Sequence, residues 1–580
     1  MQGHDLRIRH IEIRNFRGIK SFAWTVSGDL NCIIGSGDAC KTTILTALDF
    51  ALSPRTALVF DDADFFNQVV DHDIIIQVTL AGWDPALPHI KGFFQESTFA
   101  RYQCGLDQNG PKPEPDAAPA FSISLRVDKS LEPKWFAVKG RDEGDEVERK
   151  PIYAAERAFI GLSRLDFFSD ANFTWGRNSI LTRLSEGSKS GLPSVVSELA
   201  REMRQSDISR HPSIAQCTVV AEGVRVEARK TGVNLAELTP RIDVQRQSIG
   251  AGVISLHEGQ VPLRNKGSGS KRLVGAAMQM KLHNGKNIAV IDEIELGLEP
   301  HRIRGLLFKL KSSQQQVFAT THSAAVIREL DATKDELWVC KRDSAGVVTL
   351  RSLGTVPGIQ GPARANAESL LGNRIVACEG VTEVGLLRAY DMFRFDANNA
   401  PVWSLATAYF NCDGASKIQA NAERLAALGY RTAVLCDSDA PDHLSREDIE
   451  KLKRDGIHVT EWESGNATEH QLFAELPWQH IPTLLTNIAR DHDSIELASM
   501  VNSIIREPRV ATLNLANDPR RWSDTPALRK ALGDLAHKQK WIKRLDYARK
   551  AFEFALPQLP DDGALKTRLA LLWDWVQSDE

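Results

Sequence analysis

Arg374-Ile-Val-Ala-Cys-Glu-Gly-Val-Thr-Glu383 and Thr432-Ala-Val-Leu-Cys-Asp-Ser-Asp439 decide how this chain folds. Each begins as a short apolar run that reads as a buried strand and ends in acidic residues. Glu379 and Glu383 lie four residues apart, where a strand hands over to a helix. Asp437 and Asp439 both leave the end of a second strand. In an open α/β sheet the carboxyl ends of the strands line one crevice. Carboxylates converging there repel one another unless divalent cations neutralise them. Acidic residues at strand ends also serve as ordinary helix caps, so either motif alone says little.

Taken together, in this order and about fifty residues apart, the two motifs resemble the Toprim domain, the metal-binding unit of topoisomerases, primases and some nucleases. Asn411-Cys-Asp-Gly-Ala415 follows a third apolar run, Thr407-Ala-Tyr-Phe410, and makes Asp413 a further candidate.

Upstream, Ile8 to Gly18 alternates apolar and polar residues and then turns at Gly18. Asn31-Cys-Ile-Ile34 runs into Gly35-Ser-Gly-Asp-Ala-Cys-Lys-Thr-Thr43, and an apolar-faced helix follows. This strand–loop–helix context is that of a P-loop. Gly35, Gly37, Thr43 and the helix N-terminus are expected to hold phosphates, Lys41 to pair with them, and Thr42 to ligate Mg²⁺. The residue before the lysine is Cys40 where the pattern has glycine, and a positive φ there carries strain.

Asn287-Ile-Ala-Val-Ile-Asp-Glu293 reads as a Walker B strand, with Asp292 for the Mg²⁺ shell and Glu293 as the base that activates water. Ile294-Glu-Leu-Gly-Leu-Glu-Pro-His301 resembles the D-loop of ABC-type ATPases. Gln316-Val-Phe-Ala-Thr-Thr-His322 places His322 as their switch histidine. Lys266-Gly-Ser-Gly-Ser-Lys-Arg272 resembles their signature loop, with Ser268 and Gly269 reaching the nucleotide of another subunit. Completion in trans implies a homodimer or a higher even-numbered oligomer.

An ABC-type ATPase followed by a Toprim domain is similar to the OLD (overcoming lysogenisation defect) family of ATP-linked endonucleases, which includes Gabija nucleases and retron-associated effectors. The resemblance implies DNA cleavage with two Mg²⁺ or Mn²⁺ ions, ATP with Mg²⁺ in the first domain, and a role in bacterial defence against phage. It makes Glu379, Glu383, Asp437 and Asp439 metal ligands. It also requires one more acid, and Glu463 and Glu469 remain equal candidates. A C-terminal lysine near the scissile phosphate is implied as well, and Lys543 in Lys540-Trp-Ile-Lys-Arg544 fits best.

The fold class expected is α/β. Residues 1–160 form an ATPase N-lobe, 161–250 a helical dimerisation insert and 251–355 the ATPase C-lobe. Residues 356–366 are a linker, 367–480 a Toprim unit and 481–580 a helical region with a basic patch. Gly110 to Pro119 holds four prolines and is expected to be a loop. Leu181 to Met203 has helical period.

The net charge of −4 confines nucleic-acid contact to local patches. Arg520 to Lys550 is one, with ten Lys or Arg against three Asp. Trp522, Trp541 and Tyr547 lie within it and suit base stacking or, equally, core packing. No stretch is apolar enough to span a membrane, and Met1-Gln-Gly-His-Asp-Leu-Arg7 has no secretory character. Eight cysteines without a Cys-x-x-Cys pair read as core residues of a reducing, cytoplasmic compartment. Two other readings stay open: a DNA-binding repair ATPase of RecF or SMC type without nuclease activity, and a subunit active only with a partner helicase or a retron RNA–DNA (reverse transcriptase) complex.

Overall fold

The computed structural model describes residues 6–578, apart from 56, 85–87, 115–117, 145–146, 165–169, 176–178, 186–191, 207, 209–210, 231–235, 241–253, 283–287, 314, 398, 401, 439–443 and 464. It is an α/β structure whose described residues form one large mixed sheet, one small parallel sheet, a two-stranded ribbon (His257–Glu258 with Val261–Pro262) and extensive helical regions.

Among the described residues the large sheet has 14 strands. Its parallel part runs Leu162–Arg164, Ile288–Ile291, Gln316–Thr320, Leu30–Ile34 and Glu336–Arg342 in spatial order. The three middle strands are short runs buried along their whole length, as parallel sheets require. Beyond them the sheet turns mixed. Val347–Ser352 joins Ile19–Thr25, which pairs in turn with Arg7–Phe16, Ile74–Ala81 and Ala118–Val127 as an antiparallel meander. The alternation read in Ile8–Phe16 thus belongs to a strand, and its turn falls at Arg17–Gly18.

Two expectations are corrected here. The proline-bearing stretch is not one loop, because Gly110–Lys112 and Ala118–Val127 are both strands. Pro111 and Pro119 lie in the outer, antiparallel part of the sheet, where a missing N–H is tolerated. The boundary at residue 161 also moves: Leu162–Arg164 is an edge strand of the large sheet, pairing with Ile288–Val290. The helices of the insert are Ile180–Ser185, Leu192–Gln205 and Ala215–Lys230. Leu199, Met203, Val219, Val220 and Val224 are exposed on the last two.

The small sheet has four parallel strands in the order Thr407–Asn411, Arg374–Cys378, Arg431–Cys436, His458–Glu461. Alternate residues of the middle strands enter two different cores. Val376, Cys378, Ala433 and Leu435 pack with the C-terminal helices. Ile375, Ala377, Val434 and Cys436 pack in a core shared with the large sheet's helical layer. That second core joins the two halves of the chain. Strand order reverses between Arg374–Cys378 and Arg431–Cys436, and the helices after the first two strands lie on opposite faces. This is a topological switch point, where an α/β sheet opens a crevice.

The eight cysteines are free, and six of them are buried. No described helix is long and apolar enough to cross a membrane.

Candidate nucleotide and carboxylate sites

The first site forms where three parallel strands end together. Leu30–Ile34 pairs with Gln316–Thr320, which pairs with Ile288–Ile291. Residues 250 positions apart therefore meet: the Thr42 hydroxyl donates to Asp292 Oδ1 at 3.1 Å. The Thr320 hydroxyl donates to the same oxygen at 2.5 Å and accepts the Glu293 N–H at 2.8 Å. Thr320 was not singled out in the sequence, although its place two residues before His322 is the signal. Glu295 accepts from the Thr321 hydroxyl at 2.6 Å and from the His322 N–H at 2.7 Å.

Between strand and helix the loop closes tightly. A Cβ on Gly35, whose φ is 142°, would stand 2.6 Å from the Cys340 carbonyl oxygen. Cys40 has φ 66° and ψ 21°, so the non-glycine residue does adopt the left-handed conformation. Lys41 folds back on the loop, its Nζ donating to the Gly35 and Ser36 carbonyls at 3.0 and 2.5 Å. Burial lowers the Lys41 pKa, against nearby Cys340 and Asp292. Burial and the Lys41 charge lower that of His322. Gly37 has open space beside it, and Thr43 lies in the first turn of the helix Lys41–Leu52.

Ser268 opens the helix Ser268–Leu282. Gly269 packs so closely on the Gly297 carbonyl that a Cβ has no room. Arg272, also on this helix and fully buried, donates to the Leu296 and Asp292 carbonyls at 2.6 and 3.1 Å and to that of Glu293. The signature-like loop thus stands against the strand end that carries Asp292 and Glu293. No described hydrogen bond joins Ser268 or Gly269 to Lys41 or Thr42 within the chain.

The second site occupies the switch point of the small sheet. Glu379 and Asp437 leave adjacent strands, and the Asp437 N–H donates to Glu379 Oε2 at 3.1 Å. Glu383 lies in the first turn of the helix Val381–Asp396 and caps it, Oε2 accepting the Gly380 N–H at 2.7 Å. Thr468 binds both acids. Its N–H and hydroxyl reach Asp437 Oδ1 at 2.9 Å each, and the hydroxyl reaches Glu383 Oε1 at 2.8 Å. That hydroxyl already accepts Trp462 Nε1–H at 2.7 Å, and its single hydrogen serves only one carboxylate.

Burial and the charges of Glu379 and Glu469 push the Glu383 carboxyl up to about 7. Burial and the charges of Glu383, Glu379 and Glu469 raise Asp437 as well. Four acids thus share one electrostatic environment. Glu469 is fully buried. Its burial favours the neutral form, but a hydrogen bond from His537 and the charge of Lys543 outweigh it and hold its pKa low. His537 Nδ1 lies 3.3 Å from Glu469 Oε2, while Oε1 is buried with no hydrogen-bond partner.

Geometry separates the two candidates that the sequence left equal. Glu469 joins the cluster, whereas Glu463 is exposed and contributes its backbone carbonyl to the Ser438 hydroxyl. Asp413 stays outside: it is exposed, paired with Lys417 at 2.7 Å, and follows the edge strand of the small sheet. Asp439 lies outside the described residues. Lys543 is exposed yet close enough for its charge to act on Glu469.

The interleaved aromatics are corrected: Trp522, Trp541 and Tyr547 are buried among the C-terminal helices, so none offers a face for stacking. Nine of the ten cations in this patch are exposed, and Arg529 instead binds the Phe473, Ala474 and Leu476 carbonyls.

Among the described residues no group of three His, Cys, Asp or Glu is spaced to hold one ion as it stands. The donor set nevertheless suits a hard divalent cation, which takes carboxylate oxygens and would satisfy the orphaned Glu469 Oε1.

No curated protein sequence matches the chain. Among solved structures, the chain is similar to an SmcHead bound to the C-winged helix domain of ScpA, at 13% identity and TM-score 0.31, over 60% of this chain and 97% of that one. It is also similar to an Smc head domain with an extended coiled coil bound to the C-terminal domain of ScpA from Pyrococcus furiosus, at 13% identity and TM-score 0.32, over 60% and 96%. A family described as "AAA domain, putative AbiEii toxin, Type IV TA system" matches residues 30–328. That stretch holds all three strands of the nucleotide site and spans just over half of the 580 residues, and the chain belongs to this AAA-domain family.

Proposed function

We propose that this protein is an ATP-regulated, divalent-metal-dependent DNA endonuclease whose second half is a Toprim-like unit of the OLD type. One observation carries the reading. Fully buried Glu469, with an oxygen that has no partner, stands with Glu379, Glu383 and Asp437 at the switch point of a parallel sheet. A purely structural cluster of this kind is costly, because buried like charges destabilise a fold.

Glu379, Glu383, Asp437 and Glu469, with Asp439, would hold two Mg²⁺ or Mn²⁺ ions. Such ions, when bound, polarise the scissile phosphate and supply hydroxide at neutral pH. Lys543 would meet the negative charge that develops on the phosphate, and the exposed cations from Arg520 to Lys550 would hold the DNA backbone.

In the AAA domain, Gly35, Gly37, Lys41, Thr42 and Thr43 would cradle the phosphates of ATP with its Mg²⁺. Asp292 would complete the ion's shell through Thr42, Glu293 would activate water, and His322 would face the terminal phosphate. Ser268 and Gly269 would serve the nucleotide of a second protomer, in a homodimer or higher even-numbered assembly. A cytoplasmic defence role against phage agrees with the toxin named in the description of the matched family. A partner helicase or retron RNA–DNA complex would supply the trigger.

Plasmid nicking with Mg²⁺ or Mn²⁺, with and without ATP, tests the proposal. Wild type should nick, Asp437→Ala should not, and both should bind ATP. Equal nicking by Asp437→Ala would remove the site assignment.

A second reading, an ATPase of RecF or SMC type with a structural acidic unit, draws on the absence of a ready-spaced ligand group among the described residues. It predicts no cleavage by wild type under any metal.

A further inference from the structure

Strand Glu336–Arg342 runs beside the nucleotide-loop strand Leu30–Ile34 and touches that loop directly. Cys340 Sγ donates to the Ala39 carbonyl at 2.9 Å, and the Cys340 carbonyl closes on Gly35. The next side chain leaves on the other face, as strand alternation requires. Lys341 Nζ donates to the Gly372 and Asn373 carbonyls, both at 3.2 Å, and lies 3.8 Å from the centre of the Tyr430 ring. The Tyr430 hydroxyl in turn donates to the Leu370 carbonyl at 2.6 Å.

These contacts fall at informative places. Asn373 immediately precedes the strand Arg374–Cys378, which ends at Glu379. Tyr430 immediately precedes Arg431–Cys436, which ends at Asp437. The two strands pair in parallel along their length, so a shift imposed at their starts is delivered at their ends. Other cations also join the two halves. Arg351 donates to the Ala427 carbonyl at 2.8 Å, and Arg424 donates to that of Pro357 at 2.9 Å. Arg351 is exposed and Arg424 half-buried, and neither adjoins the nucleotide loop.

A half-buried ammonium held by two carbonyls and a ring face is an expensive way to fill a junction. Among the described residues no carboxylate pairs with Lys341, and burial brings its pKa down to about 7. An apolar side chain of similar length would pack there at less cost.

We infer that Lys341 is a positioning residue that links the state of the nucleotide loop to the spacing of the strands carrying Glu379 and Asp437. The inference deepens the proposed regulation of the carboxylate site and rests on that reading. Contact continuity amounts to coupling only if both ends bias the same element, and backbone hydrogen exchange measures this directly.

The experiment compares exchange over residues 372–379 and 430–437, with and without Mg²⁺-ATP, in the full chain. Wild type and Lys341→Arg should show a several-fold change on nucleotide binding. Lys341→Met should show none while still binding ATP. Tyr430→Leu, which keeps the lysine but removes its ring, should lose the response as well and serves if Lys341→Met does not fold. No nucleotide effect in wild type, or an unchanged effect in the folded variants, overturns the coupling. Metal-dependent cleavage is assayed on the same samples. Absent cleavage with intact exchange coupling sinks the nuclease reading alone, and cleavage with no exchange response sinks only the coupling.

Discussion

The Asp437 N–H donates to Glu379 Oε2 at 3.1 Å, joining the ends of two parallel strands 58 residues apart. The contact fixes the spacing of the two acids that begin the carboxylate cluster.

On the proposed reading, Glu469→Gln should lower metal-dependent nicking by about a hundredfold or more, since it would remove a ligand oxygen. Glu463→Gln should stay within about twofold of wild type, because its side chain is exposed. Initial nicking rates at several Mn²⁺ concentrations check the pair. Equal losses in both would return the choice of ligand to where the sequence left it.

Divalent cations should stabilise the fold. Binding only to the native state raises stability by about 2.7 kcal/mol at a hundred times the dissociation constant. Thermal unfolding with and without Mn²⁺ should show an upward shift in wild type and in Lys41→Ala. The shift should be missing in Asp437→Asn, whose buried site then carries less charge to neutralise.

At Lys341 the sign of the pH dependence follows from burial. Its folded pKa is about 7, against about 10.4 in an unfolded chain. Between those values the unfolded state binds more protons, so stability rises with pH. Below about pH 7 the whole penalty is present. The Cys340 thiol is pushed up to about 12 by burial, and the Tyr430 phenol is raised further still, so neither changes charge in this window. Lys341→Met should therefore exceed wild type in melting temperature most at pH 6, with the gap closing towards pH 9. A gap independent of pH would show that the folded lysine titrates as it does in the unfolded chain and that its pKa is not lowered in the junction.

Cys40 lies in the left-handed region, which costs a non-glycine residue roughly 1–2 kcal/mol. Glycine recovers this and gives back about 0.5–1 kcal/mol in chain entropy. Cys40→Gly should therefore unfold no earlier than wild type, whereas Cys40→Val, branched at Cβ, should unfold several degrees earlier. Calorimetry of the three proteins decides it. A Cys40→Gly protein that melts early would mean that the thiol's packing near Gly18 outweighs the strain.

Much of this molecule was legible in its order of residues. Apolar runs ending in Gly35, Asp292, His322, Glu379 and Asp437 announced parallel strands, because a strand buried on both faces needs a short apolar run and its polar end marks the crevice. The left-handed Cys40 could be expected from the missing glycine alone. Local chemistry suffices for such features, since each is set by a handful of neighbouring residues.

Other decisions belonged to the tertiary structure. Glu469 enters the cluster and Glu463 does not because Thr468 docks on Glu383 and Asp437, turning the first turn of its helix inward. Trp522 and Trp541 of the basic segment are core because helices far apart in sequence bury them. Lys341 gives no sign in sequence of bridging two sheets, since its partners Gly372, Asn373 and Tyr430 meet it only through strand pairing. Sequence determined which strand ends are acidic or phosphate-directed, by local patterning. Only the folded chain chose which side chains face each other across them, because that choice rests on packing between segments tens to hundreds of residues apart.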